Sequence, residues 1–119
     1  MKRILIVDDD QNLSKVYEFY LKKQGYDVVT CKDAQEAMQF ILNGRPVDLF
    51  ILDVELPDMS GLELMEQIKS NGQYAQKPVI INSGYEHYKE NFTSWLANEY
   101  LVKQSDLSGL GEKVRSLIP

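Results

Sequence analysis

The chain has 119 residues, enough for one domain that buries roughly two-thirds of the surface its unfolded form exposes. Hydrophobic residues make up 44% and charged residues 26%, the mix of a globular fold and not of a disordered chain. With a net charge of −5 no global field favours nucleic acid or an anionic membrane, and a single cysteine excludes an internal disulfide.

Met1-Lys2-Arg3 is basic like the start of a signal peptide, but only four apolar residues follow before three aspartates. No stretch approaches the roughly 18 apolar residues needed to span a bilayer. The expectation is a cytoplasmic protein in a reducing compartment, without membrane contact. Cys31 reads as a small buried apolar residue of a strand.

Apolar runs alternate with amphipathic stretches along the whole chain. Ile4-Leu5-Ile6-Val7 forms the first predicted strand and runs straight into Asp8, Asp9 and Asp10. Leu13, Val16, Tyr17, Tyr20 and Leu21 then recur at helical spacing, and Gly25 supplies a stop. Residues 26–31 read as a shorter strand. Ala34, Ala37, Met38, Ile41 and Leu42 mark the second helix, with Asp33 as N-cap, Glu36 three residues on and Gly44 as its end.

Residues 49–53 form the third strand and end at Asp53. The third helix opens at Ser60 with Glu63 in capping-box position, presents Leu64, Met65 and Ile68, and stops near Gly72. Residues 78–81 form the fourth strand, with Pro78 first, where no ladder donor is lost. A less regular fourth helix covers about residues 88–96, residues 100–102 form the fifth strand, and Leu107, Leu110, Val114, Leu117 and Ile118 mark a fifth helix. Continuous apolar strands are buried on both faces, so the fold class is α/β: a doubly wound, five-stranded parallel sheet with five helices on two faces. Strand order 2-1-3-4-5 suits five strands and sets the first beside the third, at the switch point where sites form. Residues 1–119 then make one domain.

Four positions follow four different strands and can converge on one cleft: the acidic group at 8–10, Asp53, Ser83 and Lys103. Several carboxylates share a small volume only if a cation or protons offset their repulsion. Magnesium, a hard ion that takes oxygen ligands and keeps waters, suits Asp9 and Asp53 as direct ligands, Asp8 through water, and a backbone carbonyl just after Asp53. Asp53 is then placed to attack phosphorus and form an aspartyl phosphate. The Ser83 hydroxyl and the Lys103 ammonium would cover charge on the phosphoryl oxygens.

At these residues the chain resembles the receiver domain of two-component response regulators, a flavodoxin-like fold. The likeness rests on Ile-Val-Asp-Asp (6–9), Asp53-Val-Glu-Leu-Pro-Asp-Met-Ser-Gly61, Asn-Ser-Gly (82–84) and Tyr-Leu-Val-Lys (100–103), whose order and spacing together are specific. The resemblance implies that Asp53 is the phosphoacceptor for a partner histidine kinase or phosphotransfer protein. It implies magnesium held by Asp8, Asp9, Asp53 and the Glu55 backbone carbonyl, and a phosphoryl group bound by Ser83, Gly84 and Lys103. Ser83 and Tyr100 would act as the switch, biased by a new charge of about −2. The readout would be a surface on the fourth helix, fifth strand and fifth helix, met by a downstream protein, a fused output domain or a second copy docking through those two helices.

The chain departs from the family pattern at Gln104, where receivers carry a proline joined by a cis bond. A cis bond before a non-proline residue costs roughly 2.5 to 4 kcal/mol, so Lys103-Gln104 is expected to be trans. Glu55 and Tyr85 sit where receivers tune phosphoryl lifetime. Asp58 reads as a cap for the next helix or a solvated loop residue, and His87 as an exposed loop residue. Tyr85, Tyr88, Phe92 and Trp95 recur at helical spacing, as core or as a docking patch.

The expected function is a signalling switch that catalyses only its own phosphotransfer and autodephosphorylation, and not an enzyme on a separate substrate. Two alternatives belong to other classes. A pseudo-receiver would keep the fold as an interaction module. A haloacid-dehalogenase-like magnesium phosphatase would also use an aspartyl phosphate, but wants an aspartate where Glu55 stands.

Overall fold

The computed structural model describes residues 1–84 and 107–119, and the backbone of Glu99–Val102. Five strands form one parallel sheet: β1 (Arg3–Val7), β2 (Asp27–Cys31), β3 (Leu49–Leu52), β4 (Val79–Ser83) and β5 (Glu99–Val102). Their order is β2-β1-β3-β4-β5, so the expected order holds and β1 lies beside β3. Four helices occur among the described residues: α1 (Gln11–Lys23), α2 (Ala34–Leu42), α3 (Gly61–Ser70) and α4 (Leu107–Leu117). The helix expected over about 88–96 lies outside the described residues, and α4 is the fifth predicted helix.

Alternation along each strand divides the core into two layers. Leu5, Val7, Phe50, Leu52, Val79 and Ile81 pack against Ala37 and Ile41 of α2 and Leu64, Met65 and Ile68 of α3. Ile4, Ile6, Leu49, Ile51 and Ile80 pack against Tyr17 and Leu21 of α1 and Leu110 and Val114 of α4. Every residue of β3 and β4 is buried, as a sheet covered on both faces requires. Cys31 is buried at the end of β2, and burial, reinforced by Glu36 and Asp33, pushes its thiol up to about 12. It is a packing residue.

Short polar side chains start the helices. Asp10 caps α1 by accepting the Leu13 amide at 3.1 Å, and Asp33 caps α2 through the Glu36 amide at 2.9 Å. Glu36 reaches back to the Lys32 amide at 2.9 Å, one residue before the position a capping box uses. Ser60 caps α3 through the Leu62 amide at 3.1 Å and not through that of Glu63. Gly25 and Gly44, at φ of 98° and 69°, carry the chain out of α1 and α2 in the left-handed conformation.

Two features differ from the sequence reading. Val16 belongs to the apolar spacing of α1 but is 48% exposed, beside Phe19 at 64%; Ser14, Tyr17 and Leu21 make the buried stripe instead. Val16, Phe19 and Tyr20, with Leu107, line an apolar groove of about 380 Å³ flanked by Lys15 and Lys23. The segment 71–78 buries Tyr74 completely, edge-on to Phe50 at 5.7 Å, with its hydroxyl donating to the Arg45 carbonyl at 2.6 Å.

The strand starts are braced by charge. Arg3 pairs with Asp27 at 2.6 Å and donates its amide to Asp48 at 2.8 Å; Lys77 stands 3.8 Å from Asp48. The opposite ends of the same strands carry the acidic residues.

Candidate functional site

Val7 and Leu52 are register partners, so the residues that follow them leave the sheet together. The Asp53 amide donates to the Val7 carbonyl at 3.0 Å, and the Asp8 amide to the Cys31 carbonyl at 3.0 Å. Ladder bonds thus fix both backbones at the point where their side chains emerge. Carboxylate oxygens of Asp8, Asp9 and Asp53 all lie within 4.8 Å of one another. Asp8 and Asp53 are buried, and Asp9 is exposed at the mouth.

The three successive aspartates have separate tasks. The Asp8 carboxylate accepts the Asp10 amide at 2.9 Å, which shapes the turn, while Asp10 faces away to cap α1. Asp9 is left to complete the cluster. The Asp53 carboxylate also accepts the Glu55 amide at 3.3 Å, so the backbone turns back over the strand end at Glu55. Glu55 is itself exposed and bridges to Ser60. The cluster offers hard carboxylate oxygens alone, two buried and one exposed, and that donor set fits magnesium.

The turn after Asp53 depends on Gly61. The Gly61 amide donates to the Val54 carbonyl at 2.7 Å, and a Cβ at Gly61 would overlap the Asp53 carbonyl oxygen. No other residue type lets α3 begin so close to the strand end.

Asp58 has a task that its sequence position conceals. It lies exposed in its loop, as one of the two readings had it, but it caps α2 and not α3: its two oxygens accept the Ala34 and Gln35 amides, at 3.0 and 2.9 Å. These bonds, that to Ala34 foremost, lower its pKa below the ordinary carboxylate value. With Asp33 on the next amide, the first three free donors of α2 are satisfied by two carboxylates, one from its own N-cap and one from a distant loop. The loop that carries Asp53 is thereby tied to α2.

Ser83 is the last residue of β4 and fully buried, where the sequence reading set it beyond the strand; Gly84 follows, exposed. Ser83 pairs in register with Val102, the residue before Lys103, and Tyr100 pairs with Ile81. The side chain of Tyr100, together with Lys103, Gln104, Tyr85, His87, Tyr88, Phe92 and Trp95, lies outside the described residues. Among the described residues no helix is long and apolar enough to cross a membrane.

A doubly wound parallel sheet binds its ligands at the switch point, and here the acidic residues gather at that point. Comparison with known proteins gives the family. The response regulator receiver domain family matches residues 4–115, and the chain belongs to that family. The response regulator TrrA of Thermotoga maritima, in its crystal structure with Mg(2+)-BeF, is 37% identical with a TM-score of 0.89, covering 99% of this chain and 100% of that one. TrrA in complex with the histidine kinase ThkA gives 37% identity and a TM-score of 0.88, with both chains covered completely. The response regulator ArlR of Staphylococcus aureus is 34% identical over 119 residues, 99% of this chain and 53% of ArlR. The chain spans about half the length of such relatives.

Proposed function

We propose that this receiver takes a phosphoryl group on Asp53 from the phosphohistidine of a partner kinase, with magnesium bound by Asp8, Asp9, Asp53 and the Glu55 carbonyl. The observation that carries this reading is the meeting of three carboxylates within 4.8 Å at adjacent strand ends. An Asp53 oxygen forms the new bond to phosphorus as the phosphorus–nitrogen bond breaks, and the imidazole nitrogen keeps that electron pair. Magnesium, when bound, offsets the charge of the carboxylates and of the incoming phosphoryl group. Asp53 is held for this attack by its ladder bond to Val7 and by the turn at Gly61.

Ser83, Gly84 and Lys103 would bind the phosphoryl oxygens, and Ser83 with Tyr100 would carry the change to the surface of the last two predicted helices and β5. There a downstream protein, a fused output domain or a second copy would read it. The chain would act in the cytoplasm, catalysing only its own phosphorylation and hydrolysis. The Mg(2+)-BeF complex of TrrA and the ThkA–TrrA complex support both halves of this reading.

Incubation with a small acyl phosphate tests it. The native chain should gain one phosphoryl mass only with magnesium, and Asp53→Asn should gain none. No gain in the native chain would establish the pseudo-receiver instead. Repeated turnover of phosphate esters would establish the phosphatase.

A further inference from the structure

β4 ends in two polar residues that strand alternation sends to opposite layers. Asn82 follows Ile80 toward α1, while Ser83 follows Ile81 toward the other side. Asn82 is only 1% exposed, and its Nδ2 donates to the Tyr17 hydroxyl of α1 at 3.3 Å. Its Oδ1 is buried with no partner among the described residues. Turning the amide over would exchange which end is unpaired without pairing both. A buried amide left half-bonded raises the energy of the arrangement that contains it, because water was surrendered and not replaced.

Asn82 shares a peptide bond with Ser83, the residue that moves in the switching proposed above, and this inference rests on that reading. We propose that the arrangement described is the resting state and that Asn82 is a positioning residue for the switch, whose half-satisfied amide lifts the energy of that state and so narrows its gap to the phosphorylated one. Moving the end of β4 shifts the amide from a place it occupies at a cost. An apolar side chain there would settle into the α1 layer and hold Ser83 back. A ligand moves a two-state equilibrium only as far as its preference exceeds that gap, so the amide sets how much phosphoryl signal is needed.

Ser14, one turn before Tyr17 on α1, supplies a control. Its hydroxyl is also buried and without a partner among the described residues, yet it lies on the helix and not on the strand end proposed to move. The test compares the native chain, Asn82→Leu and Ser14→Ala, with Asn82→Val added because it is smaller and cannot overfill the site. Urea midpoints are measured without magnesium. Beryllium fluoride is then titrated with magnesium while the Ser83 amide signal is followed.

Asn82→Leu or Asn82→Val should raise the urea midpoint and raise several-fold the beryllium fluoride needed for half conversion. Ser14→Ala should raise the midpoint and titrate like the native chain. Asn82 variants that are no more stable, or that titrate like the native chain, overturn the proposal. So does a Ser14→Ala chain whose titration shifts equally, since response would then follow overall stability. A native chain indifferent to beryllium fluoride defeats the phosphoacceptor reading, and the role of Asn82 falls with it; a responsive native chain with unaltered variants defeats the role of Asn82 alone.

Discussion

The Cα of Gly61 rests against the backbone of Asp53, so that a Cβ added there would stand 2.7 Å from the Asp53 carbonyl carbon. Gly61→Ala therefore forces the start of α3 away from the end of β3. The resulting overpacking costs roughly 1–3 kcal/mol. It also displaces the backbone that aims the Asp53 carboxylate. The expected result is a lower urea midpoint together with slower gain of phosphoryl mass, whereas a variant matching the native chain in both would show that the close approach is dispensable.

Asp9 is the exposed member of the cluster, and replacing it removes repulsion without disturbing a cap. Asp9→Asn should be at least as stable as the native chain without metal, because one of three crowded negative charges has gone. Magnesium at about a hundred times its Kd should stabilise the native chain by about 2.7 kcal/mol. The variant should lose most of that gain. Thermal unfolding with and without magnesium reads both effects, and an equal gain in the two chains would remove Asp9 from the ligand set.

The Asp58 carboxylate has a pKa below its ordinary value of 3.8, chiefly because the Ala34 and Gln35 amides favour its charged form. The unfolded chain accordingly binds this proton more readily. The Asp58 contribution to stability is present in full above the ordinary pKa and disappears as pH falls through the depressed one. Asp58→Ala should lower the urea midpoint at neutral pH and flatten its acid dependence below about pH 4. Amide exchange at Ala34 and Gln35 should quicken in the variant. Unchanged exchange would mean that α2 is held at this end by Asp33 alone.

Tyr74 donates from a fully buried hydroxyl to the Arg45 carbonyl, and its ring meets Phe50 edge-on. Tyr74→Phe keeps the ring and removes the donor, at a cost of about 1 kcal/mol. Tyr74→Ala also empties the space of the ring and should cost roughly 3–5 kcal/mol. Chemical denaturation of both variants separates the two contributions. Equal losses would assign all of the effect to the hydroxyl.

What the sequence made legible was whatever local spacing governs. The apolar runs of β1 and β3, the caps Asp33 and Ser60, and the meeting of Asp8, Asp9 and Asp53 all follow from periodicity and strand order. Asp58 escaped because its partners are 23 and 24 residues away, and no local pattern marks a cap supplied across the fold. Tyr74 escaped because it sits between α3 and β4, in a stretch without period 2 or 3.6. Val16 fits the apolar spacing of α1, yet helical spacing identifies a stripe and not its edges. Ser83 was placed one element too late, since Asn82 and Ser83 continue β4 with polar side chains that break the apolar run.

The charged bracing of Arg3, Asp27, Asp48 and Lys77 and the acidic triad occupy opposite rims of one sheet. A five-residue strand is about 16 Å long, and in physiological salt charges are screened over about 8 Å. Chemistry at one rim is thus electrically quiet at the other. A dye, a surface tether or an altered charge installed among the strand starts would leave the field around Asp53 as it was, which makes that rim the natural handle for watching the molecule at work.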